Sequence, residues 1–220
     1  MHINFQSRRF KLILFLSSVL IVYHFIIRPW MLDWGAPARI EDRNLSGDYF
    51  TGGPRHTRAV LIQASPQEIW PWILQLGQER GGFYSYTWLE NIFFADMHNV
   101  YVMKSELQQP RITGDTIWLA SRNNYSGKGY QIVAQVITHR AFVMVSGEDY
   151  ARIQSDEKAN GSWAIYLYPE SDGSTWLIAR SSGGPTTVTQ QLLRYFTFEL
   201  PHFIMEQKML RTIRLLAEKK

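Results

Sequence analysis

The chain of 220 residues contains no cysteine. That absence removes disulfides, thiolate nucleophiles and cysteine-ligated zinc together. It leaves the redox compartment open, because a cysteine-free chain is at home on either side of a membrane. A net basic domain surface is missing too, although the pI near 9.3 suggests one. Four of the 23 basic residues, Arg8, Arg9, Lys11 and Arg28, lie in the first 30 positions, which hold no carboxylate. The rest of the chain carries 19 basic against 19 acidic side chains. Nucleic-acid binding needs a concentrated basic surface that displaces counterions, so no nucleic-acid partner is expected. The chain also lacks internal repeats, low-complexity tracts and any long apolar run but one.

That run is residues 12–27, LILFLSSVLIVYHFII, interrupted only by Ser17, Ser18 and His24. A hydrocarbon layer of about 30 Å asks for about 20 apolar residues in a helix, and Phe10, Trp30, Met31 and Leu32 extend the run to that length. Lys11 and Arg28 stand where their charges reach the interface, and Trp30 and Trp34 suit the headgroup zone. A cleaved signal peptide fits less well. The residues after Ile27 are bulky, and the Ala36-Pro37-Ala38 pattern lies well past the apolar run with proline at its centre. Residues 1–32 therefore read as an uncleaved anchor. The basic residues before it outnumber those after it, which points the N-terminus to the cytoplasm and the domain outward. A membrane is the expected partner of this segment.

Residues 33–56 mix glycine, proline and charge without an apolar period and read as a linker. A domain is expected over 57–220. Its first strand is expected at 57–64. Ser65-Pro66-Gln67-Glu68 then makes a capping box with proline at the first helical position. Ile69, Trp72, Ile73 and Leu76 follow at helical spacing, with Pro71 bending the helix. A second short helix is expected over 87–94. Further strands are expected at 99–104, 115–120, 130–138, 140–146, 162–168 and 175–181, with Asp172-Gly173 as a hairpin signal between the last two. Close spacing makes the sheet mostly antiparallel. A long helical region over 187–218, kinked or split at Pro201, ends the chain. The pattern predicts an α+β fold: a curved antiparallel sheet of about seven strands wrapped around the long C-terminal helix, with two short helices after the first strand. Such a curved sheet leaves space beneath the helix for a ligand.

Three stretches carry a resemblance: 57–91 (TRAVLIQASPQEIWPWILQLGQERGGFYSYTWLEN), 162–182 (SWAIYLYPESDGSTWLIARSS) and 199–210 (ELPHFIMEQKML). They resemble the SRPBCC superfamily, also called START-like or helix-grip, and within it a bacterial, membrane-anchored, polyketide cyclase-like subgroup. The resemblance implies a deep, mostly apolar cavity between sheet and terminal helix. It fixes no chemistry, since members include lipid carriers, steroid binders, ring cyclases and co-chaperones.

Candidate ligand-binding residues are Tyr84, Tyr86, Trp88 and Phe94 in the aromatic stretch, Trp118 and Trp163 on strands, and Phe196, Met205 and Met209 on the terminal helix. Aromatic residues can instead be plain core, and so can methionines. Glu90 and His98 are weak candidates for acid–base catalysis, set against a reading as capping and surface groups. His202 and Glu206, four apart on one helix face, could with His98 hold a divalent metal, but a solvated helix contact is the commoner meaning of such a pair. No metal and no cofactor is expected. Arg140 and Arg180 could hold an anionic head group, with an exposed Arg180 the simpler assumption. Which face of the last strands looks inward stays open. Three functions fit: a membrane-anchored binder or carrier of a lipid, quinone or polyketide-like molecule, a cyclase- or hydrolase-like enzyme in the same cavity, or a ligand-free interaction module.

Overall fold

The structure, a computed structural model, describes residues 5–183, 187, 189, 193, 195 and 197–219. The chain opens with helix α1 (Phe5–Val22), a π-helical turn at Tyr23–Ile27 and helix α2 (Arg28–Leu32), all continuous. The widened turn has a local cause. Pro29 offers no N–H and its ring crowds the carbonyl four residues back, and the ladder adjusts so that the Arg28 N–H reaches the Tyr23 carbonyl. The stretch Phe10–Leu32 is long and apolar enough to cross a membrane.

Next come a one-turn helix, α3 (Ala38–Glu41), and strand β1 (Arg55–Ile62). Helix α4 (Pro66–Leu74) starts on the full capping box of Ser65 and Glu68. Helix α5 is Thr87–Ile92, followed by strands β2 (Thr116–Trp118), β3 (Tyr130–Ile137) and β4 (Ala141–Val145). Helix α6 (Gly147–Gln154), strands β5 (Gly161–Pro169) and β6 (Thr175–Gly183), and helix α7 (Glu199–Ala217) complete the order. The sheet runs β1-β6-β5-β4-β3-β2 with every neighbouring pair antiparallel. The β3–β4 register shifts between Val133 and Gln135, an irregularity that bends a sheet.

The sheet has six strands where seven were expected. Residues 99–104 form none, because their backbone is hydrogen-bonded elsewhere: Val100 N–H reaches the Gly81 carbonyl and Lys104 N–H reaches Gln75 Oε1. Helix α6 stands between the strands expected at 140–146 and 162–168, where no helix was expected. Its signal was a serine three residues before an aspartate, and Ser146 Oγ accepts from the Asp149 N–H at 3.0 Å. Thr197 is helical, Phe198 is a turn and α7 starts at Glu199, so the helical region is split at this point, as expected of Pro201. That proline is the third residue of α7, where a missing N–H leaves no intrahelical bond unmade.

The two faces of the sheet are both covered. The inner face (Val60, Ile62, Ile165, Leu167, Leu177) packs on α4 and the C-terminal half of α7. The outer face (Ala59, Val143, Ala164, Tyr166, Ile178) packs on Ile40 and Phe50, so much of 33–56 lies on the sheet rather than hanging free as a linker. Arg180 fastens it there and is 1% exposed, contrary to the expectation that it faces solvent. Its guanidinium donates to Thr57 Oγ1, Asp48 Oδ2 and the carbonyls of Ile40, Glu41 and Arg43. Leu177 and Ala179 therefore point inward, and Trp176, Ile178 and Arg180 outward. Arg140 is exposed at a strand end.

Candidate ligand cavity

Helix α4 lies beside only the C-terminal part of α7, where Ile69, Trp72 and Ile73 meet Met209, Leu210 and Ile213. Beyond Met209 toward its N-terminus, α7 stands over the sheet with nothing filling the gap. A cavity of about 600 Å³ occupies that place. Its floor is the inner face of the sheet (Trp163, Ser181), its roof is α7 (Phe198, Met205, Met209), and one side is α5 with the chain that follows it (Glu90, Phe93, Ala95). Carbon dominates the surface, with polar groups gathered in two places.

The first group hangs from α7. Arg58 and Glu206 are both buried. Arg58 Nη1 donates to Glu206 Oε2 at 2.7 Å, and Trp163 Nε1 donates to Glu206 Oε1 at 2.6 Å. His202 Nδ1 stands 3.2 Å from Arg58 Nη1, and Arg58 Nε donates to the Met31 carbonyl at 2.8 Å. Both carboxylate oxygens of Glu206 are thus engaged, as a buried charge requires. β1 supplies the arginine by alternation: Val60 and Ile62 face inward, and so does Arg58.

The second group lies on the α5 side. Glu90 is 4% exposed. Burial pushes its carboxyl from the ordinary 4.5 up to about 7, against the smaller opposing effect of a hydrogen bond from Asn99. Ser85, just before α5, and Gln131, on the inner face of β3, also line the cavity. The loop after β2 is bonded to the end of α5, with Ser121 N–H on the Ala95 carbonyl and Asn124 Nδ2 on the Phe94 carbonyl.

The N-terminal helix meets the cavity directly. Leu32 lines it, as does Glu199, which accepts two bonds from Arg28 at 2.7 and 2.8 Å. Asp33 Oδ1 accepts from the Thr57 N–H, tying the end of the N-terminal helix to β1. Phe93 and Phe198 line the cavity while remaining exposed, 58% and 50%, so they mark its mouth.

The architecture is a helix-grip fold. No family model matches the chain, and no curated protein matches it. Solved structures similar to it include the self-sacrificing resistance protein CalC from Micromonospora echinospora, at 12% identity and TM-score 0.42, covering 78% of this chain and 99% of that one. The polyketide cyclase-like protein Cgl2372 from Corynebacterium glutamicum gives 12% identity and TM-score 0.35, with 76% and 90% covered. Protein Ms6760 from Mycobacterium smegmatis gives 12% and 0.42, with 74% and 89% covered.

Of the residues singled out from sequence, Trp163, Met205, Met209, Glu90, His202 and Glu206 line the cavity, and Tyr84, Tyr86, Trp88, Phe94, Trp118 and His98 do not. Tyr84 is wholly buried in the core, its hydroxyl accepting from Gln75 Nε2 at 3.0 Å, and desolvation pushes its pKa up to about 12. Tyr86, Trp88 and Phe94 are exposed. Trp118 stacks near Tyr130 and under Arg122 on the sheet edge. For Tyr84 and Phe94 the reason is backbone rotation: both, like Asp96, have positive φ (56°, 59° and 52°), which turns side chains away from any simple alternation. Phe196 lies outside the described residues. His98 is exposed and not part of the lining, so it forms no acid–base pair with Glu90 inside the cavity. Sequence reasoning passed over Arg58, Ser85 and Gln131. For Arg58 a signal existed, a charged residue in step with the inward aliphatics of its strand.

Proposed function

We propose that this protein binds an apolar small molecule, a lipid, quinone or polyketide-like compound, in the cavity under α7 while anchored in a membrane by the helix ending at Leu32. The observation that carries this reading is the unfilled volume of about 600 Å³ beside the end of the anchor. That size lies within the range of small-molecule sites. Covering apolar ligand surface there gains roughly 25 cal/mol per Å². A mouth flanked by Phe93 and Phe198, next to Arg28 at the end of the helix, gives such a ligand a short path from lipid. The domain is read as facing outward, on the surplus of Arg8, Arg9 and Lys11 ahead of the helix.

The test uses the full chain in a mild non-ionic detergent and the neutral dye N-phenyl-1-naphthylamine, whose fluorescence rises in apolar surroundings. Saturable binding is expected, and Met205→Trp, which pushes an indole into the cavity from its roof, should weaken it without lowering the thermal midpoint. Equal dye binding by wild type and Met205→Trp would contradict the reading. Orientation is tested separately on the cysteine-free background: an added Ser171→Cys in intact cells should react with a membrane-impermeant maleimide, and protection of that thiol would reverse the assignment.

A further inference from the structure

The two polar groups of the cavity differ in one respect. On the α7 wall every carboxylate is engaged: Glu206 by Arg58 and Trp163, Glu199 by Arg28 through both its oxygens. Asp149 Oδ1, also at the cavity, accepts from the Asn160 N–H. Away from α7, Ser85 Oγ and Glu90 Oε2 on the α5 segment and Gln131 Oε1 on β3 are buried and have no hydrogen-bond partner. Among the described residues eight buried side-chain atoms stand in this condition, and these are the three that border the cavity. A buried polar atom left unpaired costs about 1–3 kcal/mol, so three in the lining of one ligand-sized space call for an occupant that satisfies them.

We propose that this part of the lining recognises an uncharged hydroxyl group on an otherwise apolar ligand, with Ser85, Glu90 and Gln131 as its hydrogen-bonding partners. This rests on the reading of the cavity as a ligand site and narrows the ligand's chemistry. Gln131 Oε1 can only accept, so the head group must donate, while Ser85 can do either. An anionic head group is disfavoured, because the lining holds four carboxylates against one arginine and the imidazoles of His56 and His202. The one arginine in the lining, Arg58, is held by Glu206, and Glu90, Asp149, Glu199 and Glu206 would all repel a carboxylate or phosphate. Burial also lowers the pKa of His56, which removes it as a counter-charge. A hydroxyl suits Glu90 in both of its states, accepting from the acid and donating to the carboxylate. An ammonium would suit only the ionised one, and would itself have to be stripped of water.

The experiment displaces N-phenyl-1-naphthylamine from the full chain with four probes of equal length: 1-dodecanol, dodecane, dodecanoate and dodecylammonium. Wild type is compared with Gln131→Leu and with Ser85→Ala/Gln131→Leu, so that partition of each probe into detergent cancels. Dodecanol should displace about tenfold less well from the double variant than from wild type, with the single variant between them, and dodecane should not distinguish the three proteins. Glu90→Gln, which keeps a donor and an acceptor, should retain the dodecanol preference. Dodecanol insensitive to both substitutions would overturn the proposal while leaving the cavity reading intact. So would dodecylammonium or dodecanoate losing more than dodecanol does. Failure of all four probes to displace the dye, or of the dye to bind, would bring down both readings.

Discussion

Along its C-terminal half, α7 meets the sheet through Met209, Leu210, Ile213 and Leu216, with α4 pressed alongside. Along its N-terminal half the same helix presents Phe198, His202, Met205 and Glu206 to open space over the same sheet. What separates the halves is the reach of α4, nine residues long and ended before it covers the second half. The packed half supplies apolar burial at roughly 1.5–3 kcal/mol for each large side chain. The open half forgoes that burial and is held by a polar device instead, the Arg58–Glu206–Trp163 cluster. Stability and vacancy are thus divided along one helix, so a change in the two halves should register differently.

The largest expected effect comes from the polar device. Arg58→Met leaves Glu206 buried with one partner fewer and should destabilise the chain by about 3–5 kcal/mol, read as a fall in thermal midpoint of the detergent-solubilised protein. A loss of less than about 1 kcal/mol would mean that the open half is hydrated enough to screen the pair. Next in size is the packed half: Ile213→Ala should cost about 2–5 kcal/mol through the cavity it creates. Met205→Ala, four residues ahead of Met209, should cost below about 1 kcal/mol, because it only enlarges an existing space. Similar losses at the two positions would erase the contrast.

A smaller effect is pH-dependent. Burial raises the Glu90 carboxyl from 4.5 to about 7, so between those values the folded chain holds a proton that the unfolded chain has released. Stability from this group is then present below the lower value and falls as pH rises through the window. Glu90→Gln should flatten that fall and gain about 2 kcal/mol at pH 8 relative to wild type, measured as the difference in unfolding midpoint between pH 4.5 and pH 8. An unchanged pH profile would place the Glu90 carboxyl in water.

Much of this division was written locally in the sequence. The Ser65–Glu68 capping box, the Asp172-Gly173 hairpin and the alternating strands fix α4, the β5–β6 turn and the sheet through contacts between near neighbours. The cavity followed from topology, and Trp163, Met205 and Met209 follow from it once the strand face and the helix face are known. The aromatic stretch was misleading. Tyr84, Phe94 and Asp96 within it stand at positive φ, a backbone state that tyrosine, phenylalanine and aspartate adopt without announcing it in the sequence. Arg180 was opaque for a different reason. Three of its acceptors are backbone carbonyls in 33–56, and carbonyls carry no residue-type signal. Ser85 and Gln131 are ordinary polar residues whose meaning lies only in lacking partners.

The account stands on a space under the N-terminal half of α7 that belongs to a ligand. Native mass spectrometry of the full chain, released from gently prepared membranes, weighs that directly. A non-covalent companion on the wild-type protein, diminished on Met205→Trp, is the predicted spectrum. A bare chain in both preparations, still bare after incubation with membrane lipid extract, would contradict it.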